Sequence, residues 1–107
     1  MGHTGEFELL TLLAVARLED GAYGVTIRET LEDRTSRKVT LGAIYKTLGR
    51  LEGKGLVDVA IAAPTAERGG RRKKMYTLTA EGLAAVRTTL SDLRQMAQGV
   101  APELELP

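Results

Sequence analysis

At 107 residues, with a net charge of +1, no cysteine and one histidine (His3), the chain is sized for a single small domain with one core. This composition excludes disulfides and thiolate metal sites and leaves no nucleophile–base pair or metal-ligand cluster, so neither an enzyme nor a bound metal or cofactor is expected. Its apolar runs fall short of a membrane span and no signal peptide is visible, so the expected location is cytoplasmic, with no membrane role.

The charge is sorted along the chain. Residues 1–33 hold seven acids against two bases, residues 34–54 six bases against Glu52, and residues 64–78 five bases against Glu67. A near-neutral chain with two basic blocks presents a basic surface to a polyanion.

The first predicted element is a helix over Gly5–Glu19, apolar on nearly every side between Phe7 and Leu18. Such a helix is buried on more than one side, and a 107-residue domain covers only part of it, which points to a partner subunit. Asp20 to Gly24 reads as a turn, followed by a second helix to about Arg34 with Val25, Ile27 and Leu31 as its apolar positions and Tyr23 over its start. A short connection, Thr35–Val39, leads into the central stretch Thr40–Gly55.

There Leu41, Ile44, Tyr45, Leu48 and Leu51 form an apolar helical stripe, with Thr40 as N-cap and Gly55 as stop. The opposite face reads Ala43, Lys46, Thr47, Arg50 and Lys54, small, polar and basic with no acid on it. Two helices joined by a short turn, the second basic and capped, form a helix-turn-helix, and a helix of this kind suits the major groove of DNA. Lys46, Thr47 and Arg50 are the expected base readers, with Thr40, Ala43, Tyr45 and Lys54 beside them.

After Gly55 the period changes. Leu56–Ala62 and Lys73–Leu78 read as two strands joined by a Pro- and Gly-Gly-punctuated loop, a small β-hairpin whose basic tip holds Gly70, Arg71, Arg72 and Lys73. Thr79 then caps a last helix in which Leu83, Val86, Leu90, Leu93, Ala97 and Val100 recur at alternating steps of three and four, a coiled-coil seam. Gly99 and Pro102 end it, and Glu103–Pro107 is expected to be a loose tail. The expected division is residues 1–78 as a DNA-binding domain and 79–107 as a dimerisation helix with its tail. A second reading is an interaction module whose basic blocks dock an acidic protein partner; steep salt dependence of duplex binding separates the two.

Four stretches carry a family resemblance: G-E-F-E-L-L-T-L-L-A at Gly5–Ala14, A-Y-G-V at Ala22–Val25, L-G-A-I-Y-K-T-L-G-R-L-E-G-K-G-L at Leu41–Leu56, and P-T-A-E-R-G-G-R-R-K-K-M-Y-T-L-T at Pro64–Thr79. Together they resemble the PadR-like transcriptional regulators, in the short form with a single C-terminal helix. The resemblance implies a mainly α, winged helix-turn-helix protein that binds operator double-stranded DNA as a homodimer and usually represses. It implies that Leu41–Gly53 is the recognition helix, Gly69–Arg72 the wing, and Thr79–Gln98 the dimerisation helix packed on the partner's first helix. Phe7, Leu10, Leu83, Val86, Leu90, Leu93 and Ala97 are the expected interface residues. Two features depart from the pattern. Gly49 stands on the recognition helix where relatives more often carry a larger polar residue. Multidrug-binding relatives stack flat ligands on an interfacial tryptophan, whereas this chain has no Trp and its last helix no aromatic, which argues against that kind of effector site.

Overall fold

The protein is described by a computed structural model covering residues 4–62 and 73–104. Three helices, α1 (Glu6–Leu18), α2 (Gly24–Arg34) and α3 (Leu41–Gly53), are followed by strands β1 (Val57–Ile61) and β2 (Lys74–Leu78) and a long helix α4 (Ala80–Ala97). The expected elements are all present, with ends at or within two residues of the sequence-based bounds, except that α4 stops at Ala97 and leaves Val100, the last expected seam position, beyond it.

Local chemistry explains the starts and stops. Thr40 accepts a hydrogen bond from the Ala43 backbone N–H at 3.1 Å and so caps α3. Gly55 ends it with φ +76°, a conformation open to glycine. Thr79 does two jobs, accepting from the Gly82 N–H at 2.9 Å and donating to the Gly55 carbonyl at 2.7 Å. One hydroxyl thereby joins the start of α4 to the end of α3. The tail differs from expectation in one place, where Pro102–Leu104 closes a short 3-10 turn.

The core is one cluster shared by the helices and the hairpin. Leu12, Ile27, Ile44, Leu48 and Leu51 have no exposed surface, and Val15, Val57, Tyr76 and Val86 are buried with them. Burying each aliphatic side chain of this size contributes about 1.5–3 kcal/mol. The lone hydroxyl within this apolar part of α1, on Thr11, is satisfied by donating to the Phe7 carbonyl at 2.8 Å.

β1 and β2 pair antiparallel in the register Val57↔Leu78, Val59↔Tyr76 and Ile61↔Lys74. The Tyr76 N–H donates to the Ala22 carbonyl at 2.8 Å, which ties the hairpin to the turn before α2. The loop that would form the wing tip, with Gly70, Arg71 and Arg72, lies outside the described residues. Three helices with a following hairpin make the fold a winged helix-turn-helix.

α4 packs on α1 and β2 through its first half. Gly82 makes this possible: a Cβ there would come 2.1 Å from the Leu56 carbonyl oxygen, a backbone atom. The second half of α4 extends past the domain, and the molecule is accordingly long, 54 × 28 × 21 Å. No helix among the described residues is long and apolar enough to cross a membrane.

Gly82→Ala therefore forces α4 away from the Leu56 carbonyl, just before β1. The expected cost is about 1–3 kcal/mol, read as a lower urea midpoint; a variant as stable as wild type would show that this close contact is not required.

Candidate nucleic-acid interface

The outward surface of α3 is set by what its inward surface buries. Ile44, Thr47, Leu48 and Leu51 face the core, at helical spacing. Gly42, Ala43, Tyr45, Lys46, Gly49, Arg50, Glu52 and Gly53 are exposed. Three of these eight are glycine, so around Lys46, between Gly42 and Gly49, the surface is largely bare backbone, with Tyr45 and Glu52 to one side. Gly49 has nothing within 4 Å of where a Cβ would be. Among the described residues no acid is ion-paired to Lys46.

Two assignments on this helix are corrected. Thr47, expected among the outward base readers, is only 2% exposed. It lies one turn from Ile44 and beside Leu48, and polarity alone misplaced it. Tyr45, expected in the apolar stripe, is 46% exposed. Its ring crosses to the start of α2, where a Cβ on Gly24 would fall 2.2 Å from the Tyr45 hydroxyl. This contact gives the glycine of A-Y-G-V its purpose: it seats Tyr45 against α2.

The basic face also has an acid that the sequence reading did not supply. Glu8, from α1, is buried, its side chain only 10% exposed. Lys54 Nζ donates to both carboxylate oxygens, at 3.0 and 3.1 Å, and the Gly5 N–H donates to Oε1 at 3.2 Å. Arg50 Nε sits 3.5 Å from Oε2, while its terminal Nη2 donates to the Thr47 hydroxyl at 3.3 Å. Thr47 is thus a support for Arg50. Burial pushes the Glu8 carboxyl upward, but donation from Lys54 and Gly5, the Lys54 charge and, least, the Arg50 guanidinium outweigh it, so its pKa lies below the ordinary carboxylate value. Glu8 was legible only as an odd acid on an apolar helix; its partner Lys54 is 46 residues away.

Of the remaining expected contacts, Thr40 is exposed and occupied as the α3 cap. Lys73 is exposed, with its ammonium 4.2 Å from the centroid of the Tyr23 ring, a cation–π contact that ties the base of the wing to α2. Gly70, Arg71 and Arg72 fall outside the described residues.

The expected interface residues divide. Val86 is 6% exposed and packs into its own core, which corrects its assignment to the intersubunit seam. Leu90, Phe7 and Leu10 are half-buried against the same core. The guanidinium of Arg37, paired with Glu6, lies 6.0 Å from the Phe7 ring centroid. Leu83 and Leu93 are exposed at 42% and 47%, with Met96 at 77%, and Ala97 is half-buried. A groove of about 610 Å³ runs between α1 and α2, floored by Leu10, Leu13, Ala14 and Leu31 and edged by Arg17 and Arg34.

A winged helix-turn-helix with a basic second helix and a projecting C-terminal helix defines the class of protein. The chain matches the model of the Transcriptional regulator PadR-like family over residues 12–88, and it belongs to that family. Solved structures agree. A PadR family transcription regulator from Clostridium difficile R20291 is 25% identical over 86% of this chain and 91% of its own, with a TM-score of 0.72. A PadR family regulator from Eggerthella lenta is 27% identical, covering 95% of this chain and 88% of that one, with a TM-score of 0.70. Bacillus subtilis PadR, solved in complex with operator DNA, shares the fold at 21% identity and a TM-score of 0.67, over 78% of this chain and 46% of its own. No curated protein matches the chain.

Because the folded pKa of Glu8 is depressed, its pairing stabilises the protein above the ordinary carboxylate range, and that contribution is lost as pH falls through the depressed value. Glu8→Gln should cost about 1 kcal/mol at pH 7, since both cations remain half-exposed and can be solvated. Urea titrations of both proteins from pH 7 to pH 3 should converge; a gap that is constant with pH would contradict the assignment.

Proposed function

We propose that the protein is a sequence-specific DNA-binding regulator that occupies a near-palindromic operator as a homodimer, with α3 in the major groove. The observation that carries this reading is the outward face of α3. Lys46 and Arg50 lie one turn apart there, beside Ala43 and exposed glycines, on a helix whose other side is locked into the core. Bare backbone lets such a helix approach closely, and Arg or Lys pairs with guanine O6 and N7. The fold shared with operator-bound Bacillus subtilis PadR supports the same reading. The exposed basic residues at the hairpin, Lys73 and Lys74, lie where a wing would add charge along the backbone. Repression is the outcome the family resemblance carries with it.

The homodimer rests on two apolar surfaces that the described residues leave open. One is the α1–α2 groove; the other is the far half of α4, with Leu93 and Met96 exposed. Seating one protomer's α4 on its partner's groove covers both and repeats by two-fold symmetry. A two-fold protein matches a two-fold site, with half-sites about 10 base pairs apart or a multiple.

Two outcomes test this. Arg50→Ala should lose about 1–3 kcal/mol of duplex affinity and relax preference at particular base pairs, measured by titration against single-base-substituted duplexes. Equal loss on every duplex would make Arg50 a phosphate contact. Leu93→Asp places a charge on the exposed α4 face without touching the protomer's own core. By sedimentation at micromolar concentration the wild type should be a dimer and the variant a folded monomer. A variant that remains dimeric moves the interface off this part of α4.

A further inference from the structure

We propose that Glu8 is a positioning residue for DNA reading, which withdraws Lys54 from the DNA-facing charge and fixes the guanidinium of Arg50, so that sequence discrimination rises while general affinity for phosphate falls. The inference rests on the reading of α3 as the DNA-contacting helix.

Both oxygens of Glu8 are engaged. Oε1 accepts from the Gly5 N–H and from Lys54, and Oε2 accepts from Lys54 and faces Arg50 Nε. The carboxylate is held by the first turn of its own helix and is buried, so it is not a surface acid free to swing away. Arg50 is held at two points on its guanidinium, Nε at Glu8 and Nη2 at the Thr47 hydroxyl. Contacts at two edges, 3.5 Å at Nε and 3.3 Å at Nη2, bias the plane of the guanidinium fork, while the side chain stays half-exposed. A long side chain ordered during folding does not have to be ordered again when DNA binds.

Lys54 has the opposite fate. Its ammonium contacts both oxygens of a carboxylate that burial keeps in place. A cation already neutralised within the protein displaces fewer counterions from DNA, so it adds little to the salt dependence of binding. Lys46, exposed and without an acid partner among the described residues, is the contrasting case on the same helix.

The test measures affinity against salt concentration for a preferred duplex and a scrambled duplex of equal length. Lys46→Gln should flatten the log–log slope by about 0.9, the value for one phosphate contact, while Lys54→Gln should leave it unchanged. Glu8→Gln should steepen the slope by about 0.9, raise scrambled-duplex affinity by about eightfold at 0.1 M relative to 1 M salt, and lower the preferred-to-scrambled ratio. The proposal is overturned if Lys54→Gln flattens the slope as much as Lys46→Gln, or if folded Glu8→Gln keeps both the wild-type slope and the wild-type ratio. Should Glu8→Gln fail to fold, the comparison of the two lysine variants decides alone. Wild-type protein that binds neither duplex at moderate salt defeats the reading of α3 itself, a result distinct from altered lysine behaviour in a protein that binds.

Discussion

Ile44, Leu48 and Leu51 have no exposed surface, and their burial determines which way everything else on α3 points. A helix has one rotational setting in which those three side chains reach the core together. In that setting Thr47 is drawn inward and Lys46, Gly49 and Arg50 face out. The elements packed around α3 hold the setting from several sides: α1 and α2 supply Leu12 and Ile27, and the hairpin supplies Val57 and Tyr76. Close approaches refine it. Tyr45 can rest on the start of α2 because residue 24 is glycine, and α4 can approach the Leu56 carbonyl because residue 82 is glycine.

Charge on the exposed side is managed from inside the fold. A basic helix with no acid of its own on that face would be left with several mobile cations. Glu8 reaches the end of α3 from α1 and engages Arg50 and Lys54, while no acid among the described residues pairs with Lys46. The geometry converts a uniform basic face into one with an arginine and a lysine drawn to Glu8 and a lysine that, among the described residues, has no acid partner. Each interacts differently with a nucleic acid, because phosphate attraction depends on free charge and base reading on orientation.

Much of this architecture was readable from local pattern. Thr40, Gly55 and Thr79 announced the ends of their elements through capping and turn chemistry, and periodicity separated helices from the hairpin. What the pattern hid has identifiable causes. Thr47 and Tyr45 exchanged places because a hydroxyl can be buried when it has a partner and a tyrosine can stay half in water; side-chain polarity does not decide either case. Val86 matched a coiled-coil seam, yet a heptad spacing reads the same whether a helix packs on its own domain or on a partner. The Glu8–Lys54 pair joins residues 46 positions apart, and nothing local to either one points to the other.

Base reading by α3 is tested most directly by selection of bound duplexes from a random pool at moderate salt. It should enrich a near-palindrome whose two half-sites are centred about 10 base pairs apart or a multiple of that. Recovery of the pool without sequence enrichment, or no recovery of duplex at all, would contradict it.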